Sequence, residues 1–322
     1  MLKLATRRRY GMEYLFDGTV AVEGFDIDYL AYKGPGGMDG FFRDMVTDLS
    51  YEIGEQAFAH YLIARDRGKP LTALPIFPSR FFPQLGLSVR RGAGIGSPRD
   101  LEGRRVAMSD WAYNPSVWMR GILHEFHGVA TEKILWLEDA TEPVFRGLDY
   151  NRSSRFNVEK IDFPEAERDY FHGLPALLRE GRADAVMMAA GGVPDSSHAC
   201  RLFRDPFGPI ETFVRAKGFF PINTLLTLRQ DVVDRYPDLG RKLVAAWTEV
   251  NARYMEILRK DPNIHDYMGV PLKYLERLGL LPMVDGLDVN RANIDTMIGY
   301  CYDQNLISKR PSVEEIFLSS AL

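Results

Sequence analysis

The sequence predicts an α/β protein of two lobes. Three observations carry this. The chain has 322 residues, more than one hydrophobic core usually serves. Short apolar strand-like runs alternate with helix-like runs along most of it. One unit also occurs twice: a helix, a tight turn with an acid, and a short buried strand opening into a polar loop. Its first copy runs past Thr47 and Asp48 into Glu55, and its second past Glu180, Gly181 and Asp184 into Ala189.

Taken in order, Leu2–Thr6 is a first strand and Gly24–Ala31 a second, with Phe25, Ile27, Tyr29 and Ala31 on one face. Gly34–Gly37 is a loop, and Met38–Thr47 a helix burying Phe41, Phe42, Met45 and Val46. Tyr51–Glu55 is a strand, Gln56–Arg65 a helix, and Leu71–Phe77 a strand that Pro78-Ser79-Arg80 breaks. Leu85–Val89 is a strand, and Ser97-Pro98 opens a helix. Arg105–Met108 and Ile134–Leu137 are strands flanking a helix from Pro115 to about His127. Ala140–Phe171 is a polar surface excursion or lid. Leu174–Glu180 is helical, while Asp184–Met188 and Leu225–Leu228 are strands. The remainder is mainly helical, over Arg229–Tyr236, Pro237–Arg259, Pro271–Leu278 and Asn290–Gln304.

Composition excludes several functions. A net charge of -4 offers no field for nucleic acid or an anionic membrane. No apolar run approaches the ~20 residues that span a bilayer, and the first residues show no secretion leader. A cytoplasmic protein is the expectation if the native chain starts here. Cys200 and Cys301 are far apart, and His198 and Cys200 lack a second ligand pair, so no metal is expected. Phosphate-cradling, dinucleotide, zinc-protease and serine-hydrolase motifs are missing, and Gly92–Gly96 reads as a linker.

Ligands of open α/β sheets bind outside the carboxyl ends of strands. Those ends hold Arg7–Tyr10, Gly54–Gln56, Asp110–Ser116 and Ala189–Asp195. The third is the richest. Asn114 reads as a helix cap with Pro115 at the first helical position, leaving backbone N–H groups for an anion. Trp111, Tyr113 and Ser116 stand beside it, suited to a flat acidic ring, though ordinary core packing competes as an explanation.

An ordered series of segments then resembles a known family. It runs Asp17-Gly18-Thr19-Val20, Tyr61–Arg65, Pro75–Phe81, Ser97–Val106, Val117–Leu123 and Gly218–Ile222. In order and spacing the series is similar to 4,5-dihydroxyphthalate decarboxylase and its relatives, from the first strand to about residue 240. That resemblance implies the type 2 periplasmic-binding-protein fold, two α/β lobes with a ligand cleft between them. Lobe 1 would comprise residues 1–90 plus 216–322, and lobe 2 residues 91–215. It further implies a cytoplasmic, oligomeric enzyme that removes CO2 from a small aromatic acid without an organic cofactor. The sequence departs from the family pattern at Arg7–Glu13 and at Asn223-Thr224, where many relatives carry a histidine. A non-catalytic solute receptor or sensor on the same fold is the competing expectation.

Decarboxylating a hydroxylated aromatic acid needs the carboxylates held, a phenol pushing electrons into the ring, and an acid protonating the carbon that loses CO2. Arg80 is the first choice for a carboxylate clamp, with an interlobe salt bridge as the alternative, and Arg7 is a second clamp. Glu55 is the expected general acid, unless it caps the next helix. His60 is the nearest histidine, and Asp110 could orient a phenol or a base. Trp111 and Tyr113 would cover the ring, with Asn114, Ser116 and Asn223 donating to the ligand.

Overall fold

The computed structural model describes residues 1–7, 12–31, 40–140, 154–164, 173–189, 191–260, 266–267 and 269–319. The expected loop at 34–37, residues 8–11 and most of the 140–171 segment lie outside them.

Two sheets form the two lobes. In the first, β1 (Leu2–Thr6) pairs in parallel with β2 (Ile27–Ala31) and β3 (Ile53–Ala57). Next to β3 runs β11 (Ile222–Arg229), antiparallel, and β4 (Leu71–Arg80) closes the edge. The second sheet has the order β10 (Ala199–Arg201), β5 (Leu87–Arg90), β9 (Ala185–Met187), β6 (Arg105–Met108), β7 (Leu135–Asp139), β8 (Asn157–Ile161). The type 2 periplasmic-binding-protein-like architecture expected from the sequence is therefore present. Because β5 pairs with β9 and β10, the first crossing lies within residues 81–86. The boundary read at 90/91 thus falls a few residues too late.

Pro78 does not end β4. The strand continues to Arg80, and its register against β11 slips between Thr224 and Leu226, where Leu74 and Ser79 bracket four residues including Pro75 and Pro78. A proline-bearing bulge is tolerated here because β4 is an edge strand. That edge is covered rather than open: Gly286 N donates to Pro75 O, Phe77 N to Asp285, and Leu318 N to Ala73 O.

Helix α3 (Phe58–Asp66) follows β3, and α4 (Asn114–His127) follows β6. Gly128, at φ 60, ends α4 in the left-handed conformation that glycine adopts without strain. The first ten residues of α4 are all buried, since the helix is sunk between the lobes. Against it lies α10 (Leu287–Asp303), so close at Gly121 that a Cβ there would stand 2.3 Å from the Tyr300 ring. Trp118 Nε1 donates to Ile222 O, while Gln304 accepts from Arg120 Nε and donates to Val117 O. One apolar core runs through these helices from Met45 and Phe58 in the first lobe to Trp136 and Met187 in the second. The long α8 (Leu239–Lys260) covers a separate core on the first sheet.

Several elements escape the sequence reading, among them the short helix Glu13–Phe16, α6 (Phe207–Lys217), β10, and β8 inside the presumed surface excursion. No helix among the described residues is long and apolar enough to cross a membrane.

Candidate functional site

The carboxyl ends of β1 and β3, the end of β4 and the start of β11 meet at one point, because β11 runs against its neighbours. The buried Glu55 side chain is the centre. Its Oε2 accepts from Thr6 Oγ1 at 2.7 Å and from Arg7 N at 3.2 Å. Its Oε1 accepts from Arg7 Nη2 at 3.1 Å, Arg7 Nε at 3.3 Å and Thr224 Oγ1 at 2.7 Å. A carboxylate so surrounded by donors is stabilised as an acceptor. Glu55 therefore positions Arg7, and the geometry does not favour the general acid expected of it.

The hydrogen-bond directions follow from that acceptor. Thr224 spends its proton on Glu55, so at 2.7 Å it must accept from Ser79 Oγ. Ser79 in turn accepts from Arg7 Nη2 at 3.1 Å and Asn223 Nδ2 at 3.3 Å. Asn223 Oδ1 accepts from Asn114 Nδ2 at 3.1 Å. A one-way chain thus runs from the second lobe to Glu55 in the first.

Asn114 is not the cap of its own helix. Tyr113 holds that position, and its carbonyl takes the Ser116 and Val117 N–H groups, while Pro115 has none. The start of α4 accordingly has few donors left for an anion, contrary to expectation. Asn114 Oδ1 instead accepts the Ala59 N–H at 2.9 Å and so caps α3 from the opposite lobe.

His60, in the first turn of α3, is fully buried, with Nε2 3.9 Å from Asp110 Oδ1. Burial pushes the imidazole below its ordinary value, and the bond to Asp110 and the charge of that residue pull it back up. Asp110 also accepts the Ala112 N–H at 2.6 Å, which fixes the turn into α4.

Three expected contacts face elsewhere. Arg80 is buried, and its guanidinium donates to Phe220 O, Val284 O and Asn290 Oδ1. It ties the second crossing, residues 218–221 leading into β11, to the C-terminal region instead of clamping a carboxylate. Trp111 lies inside the second lobe against Trp136 and Phe156, with the Arg120 guanidinium 3.7 Å over its ring. Tyr113 is likewise buried. Arg120 is itself buried. Ser116 is buried in the first turn of α4, its hydroxyl without a partner. Among the described residues no group of three or more His, Cys, Asp or Glu is arranged to hold a metal.

Two curated proteins are similar to this chain over most of its length. The 4,5-dihydroxyphthalate decarboxylase of Comamonas testosteroni is 29% identical over 255 residues, 78% of this chain and 74% of the relative. That of Pseudomonas putida is 28% identical over 225 residues, 68% of this chain and 83% of the relative. The chain resembles the 4,5-dihydroxyphthalate decarboxylases. No protein-family model matches it. Solved structures show the fold of this chain. The periplasmic aliphatic sulphonate-binding protein SsuA from Escherichia coli superposes with a TM-score of 0.54 at 12% identity, covering 98% of this chain and 96% of that one. A Candida albicans protein with the generic periplasmic binding protein fold gives 0.51 at 12% identity, over 100% and 95%.

Sequence reasoning missed Thr6, Ser79 and Thr224, although they carry much of the hydrogen-bond chain around Glu55. The available signal was positional. All three stand at strand ends beside residues that were singled out.

Proposed function

We propose that the protein decarboxylates a hydroxylated aromatic acid, 4,5-dihydroxyphthalate or a close analogue. The likeness to two curated decarboxylases of that compound, across most of the chain, carries the reading. Arg7 is the carboxylate contact, held in place by Glu55 and Ser79. Asn223, half-buried at the second crossing, contributes an amide beside it. His60, paired with Asp110, is the proton source.

In the reaction a phenol oxygen pushes electrons into the ring, and the carbon bearing the carboxylate takes a proton. The carbon–carboxylate bond then breaks, its electron pair returns to the ring, and CO2 leaves. The balance is one proton taken up and one CO2 released per turnover. Asp110 stabilises the imidazolium that must form before each transfer.

Running the reaction in deuterium oxide tests this reading. The expected product carries one deuterium at the carbon that lost CO2. Recovery of the acid unchanged after saturable binding would instead assign the protein to the solute-binding proteins.

A further inference from the structure

Buried polar atoms almost always find partners, so one without them calls for an explanation, and a bound ligand is one. Gln84 is such a residue. It is fully buried, and among the described residues neither its Oε1 nor its Nε2 has a hydrogen-bond partner. It lies in the short turn Pro83–Leu85 of the first crossing, which packs against α4. Two further buried hydroxyls without partners, Ser109 Oγ and Ser116 Oγ, belong to the same region, after β6 and in the first turn of α4.

Sheet topology puts these residues at one end. The strand β5 begins at Leu87 and pairs antiparallel with β9, with Leu87 opposite Met187. Residues just before β5 therefore sit at the carboxyl end of β9. Because β6 is parallel to β9, Ser109 lies at that end too. This is the end at which ligands of open α/β sheets bind.

We propose that Gln84 is a specificity-determining residue that reads the hydroxyl-bearing edge of the aromatic acid, with Ser109 and Ser116 beside it. A phenolic hydroxyl both donates and accepts, and a carboxamide offers one group of each kind. None of the three residues is charged. Arg7, on the other sheet, takes the carboxylate. The inference rests on the reading that the ligand is an aromatic acid.

Gln84→Met keeps the length of the side chain and removes its polar atoms. Calorimetric titration of the wild-type protein and this variant with 4,5-dihydroxyphthalate and with phthalate, together with melting curves, tests the proposal. The wild type should prefer the dihydroxy acid. The variant should bind that acid about tenfold or more weakly, bind phthalate within about twofold of wild type, and melt at the same or a higher temperature. Ser116→Ala should move the same ratio in the same direction by less. If Gln84→Met does not fold, Gln84→Leu replaces it.

Equal weakening toward both acids overturns the proposal. So does a lower melting temperature with the ratio unchanged, the signature of a structural amide satisfied by buried water. Binding of neither acid by the wild type overturns it along with the functional reading. Preferential binding without CO2 release sinks only the catalytic reading, because the ratio still decides the role of Gln84.

Discussion

Asn114 of the second lobe accepts the backbone N–H of Ala59 in the first, 2.9 Å away, and its amide nitrogen donates to Asn223 at the crossing. One side chain thereby holds α3, α4 and the start of β11 in register. Asn114→Ala leaves the Ala59 N–H and the Asn223 carbonyl without this partner. A loss of about 1–2 kcal/mol of stability is expected, measured by urea unfolding.

Arg7 and Glu55 form a pair with both partners largely shielded, the Arg7 side chain 11% exposed and the Glu55 side chain 0%. Removing one charge from such a pair strands the other. Glu55→Gln should cost roughly 3 kcal/mol and raise KM, because Arg7 loses the acceptor that aims it. Arg7→Lys should raise KM about tenfold, since an ammonium cannot reproduce the forked contact. Steady-state kinetics on both variants check this, and an unchanged KM in both would remove Arg7 from the site.

Arg80 gives the opposite expectation. Its guanidinium is committed to Phe220 O, Val284 O and Asn290. Arg80→Met should lower stability by about 3 kcal/mol and leave the KM of the folded fraction within about twofold. A large KM change at intact stability would restore Arg80 as the clamp.

Sequence reading could not choose between these two arginines. Both stand at strand ends, and the choice depends on which acceptors the tertiary fold brings near. Glu55 was singled out from its strand end alone. Its role as the partner of Arg7 depends on Thr6 and Thr224, hydroxyl residues unremarkable in strands. The helix α6 was missed because Gly208 and Pro209 fill its first turn, and β8 because an exposed edge strand such as Asn157–Ile161 shows no apolar alternation. The crossing at 81–86 was misplaced because Pro78 reads as a strand breaker, whereas an edge bulge accommodates it.

Asp285 gives a pH dependence. Burial raises its carboxyl from the ordinary 3.8 to about 6, opposed by the Phe77 N–H, the charge of Arg80 and the Asn251 amide. Between those values the folded protein holds a proton that the unfolded chain releases. The associated stability is fully present below about pH 4 and is lost as pH rises through about 6. Asp285→Asn does not titrate. Asn251 Oδ1 has no hydrogen-bond partner, so an amide flip can offer it to the new group. The variant should therefore gain stability relative to wild type between pH 4 and pH 7, measured by denaturant melts at both. A constant difference across that range would contradict this.

The central claim is that this fold releases CO2 from a hydroxylated aromatic acid held by Arg7. Its most direct test is a single-turnover reaction with carboxyl-labelled 4,5-dihydroxyphthalate, trapping labelled CO2 from the wild type and from Arg7→Lys. The account predicts label in the trap from wild type and a markedly slower release from the variant at subsaturating substrate. An empty trap from wild-type protein that demonstrably binds the acid would contradict it.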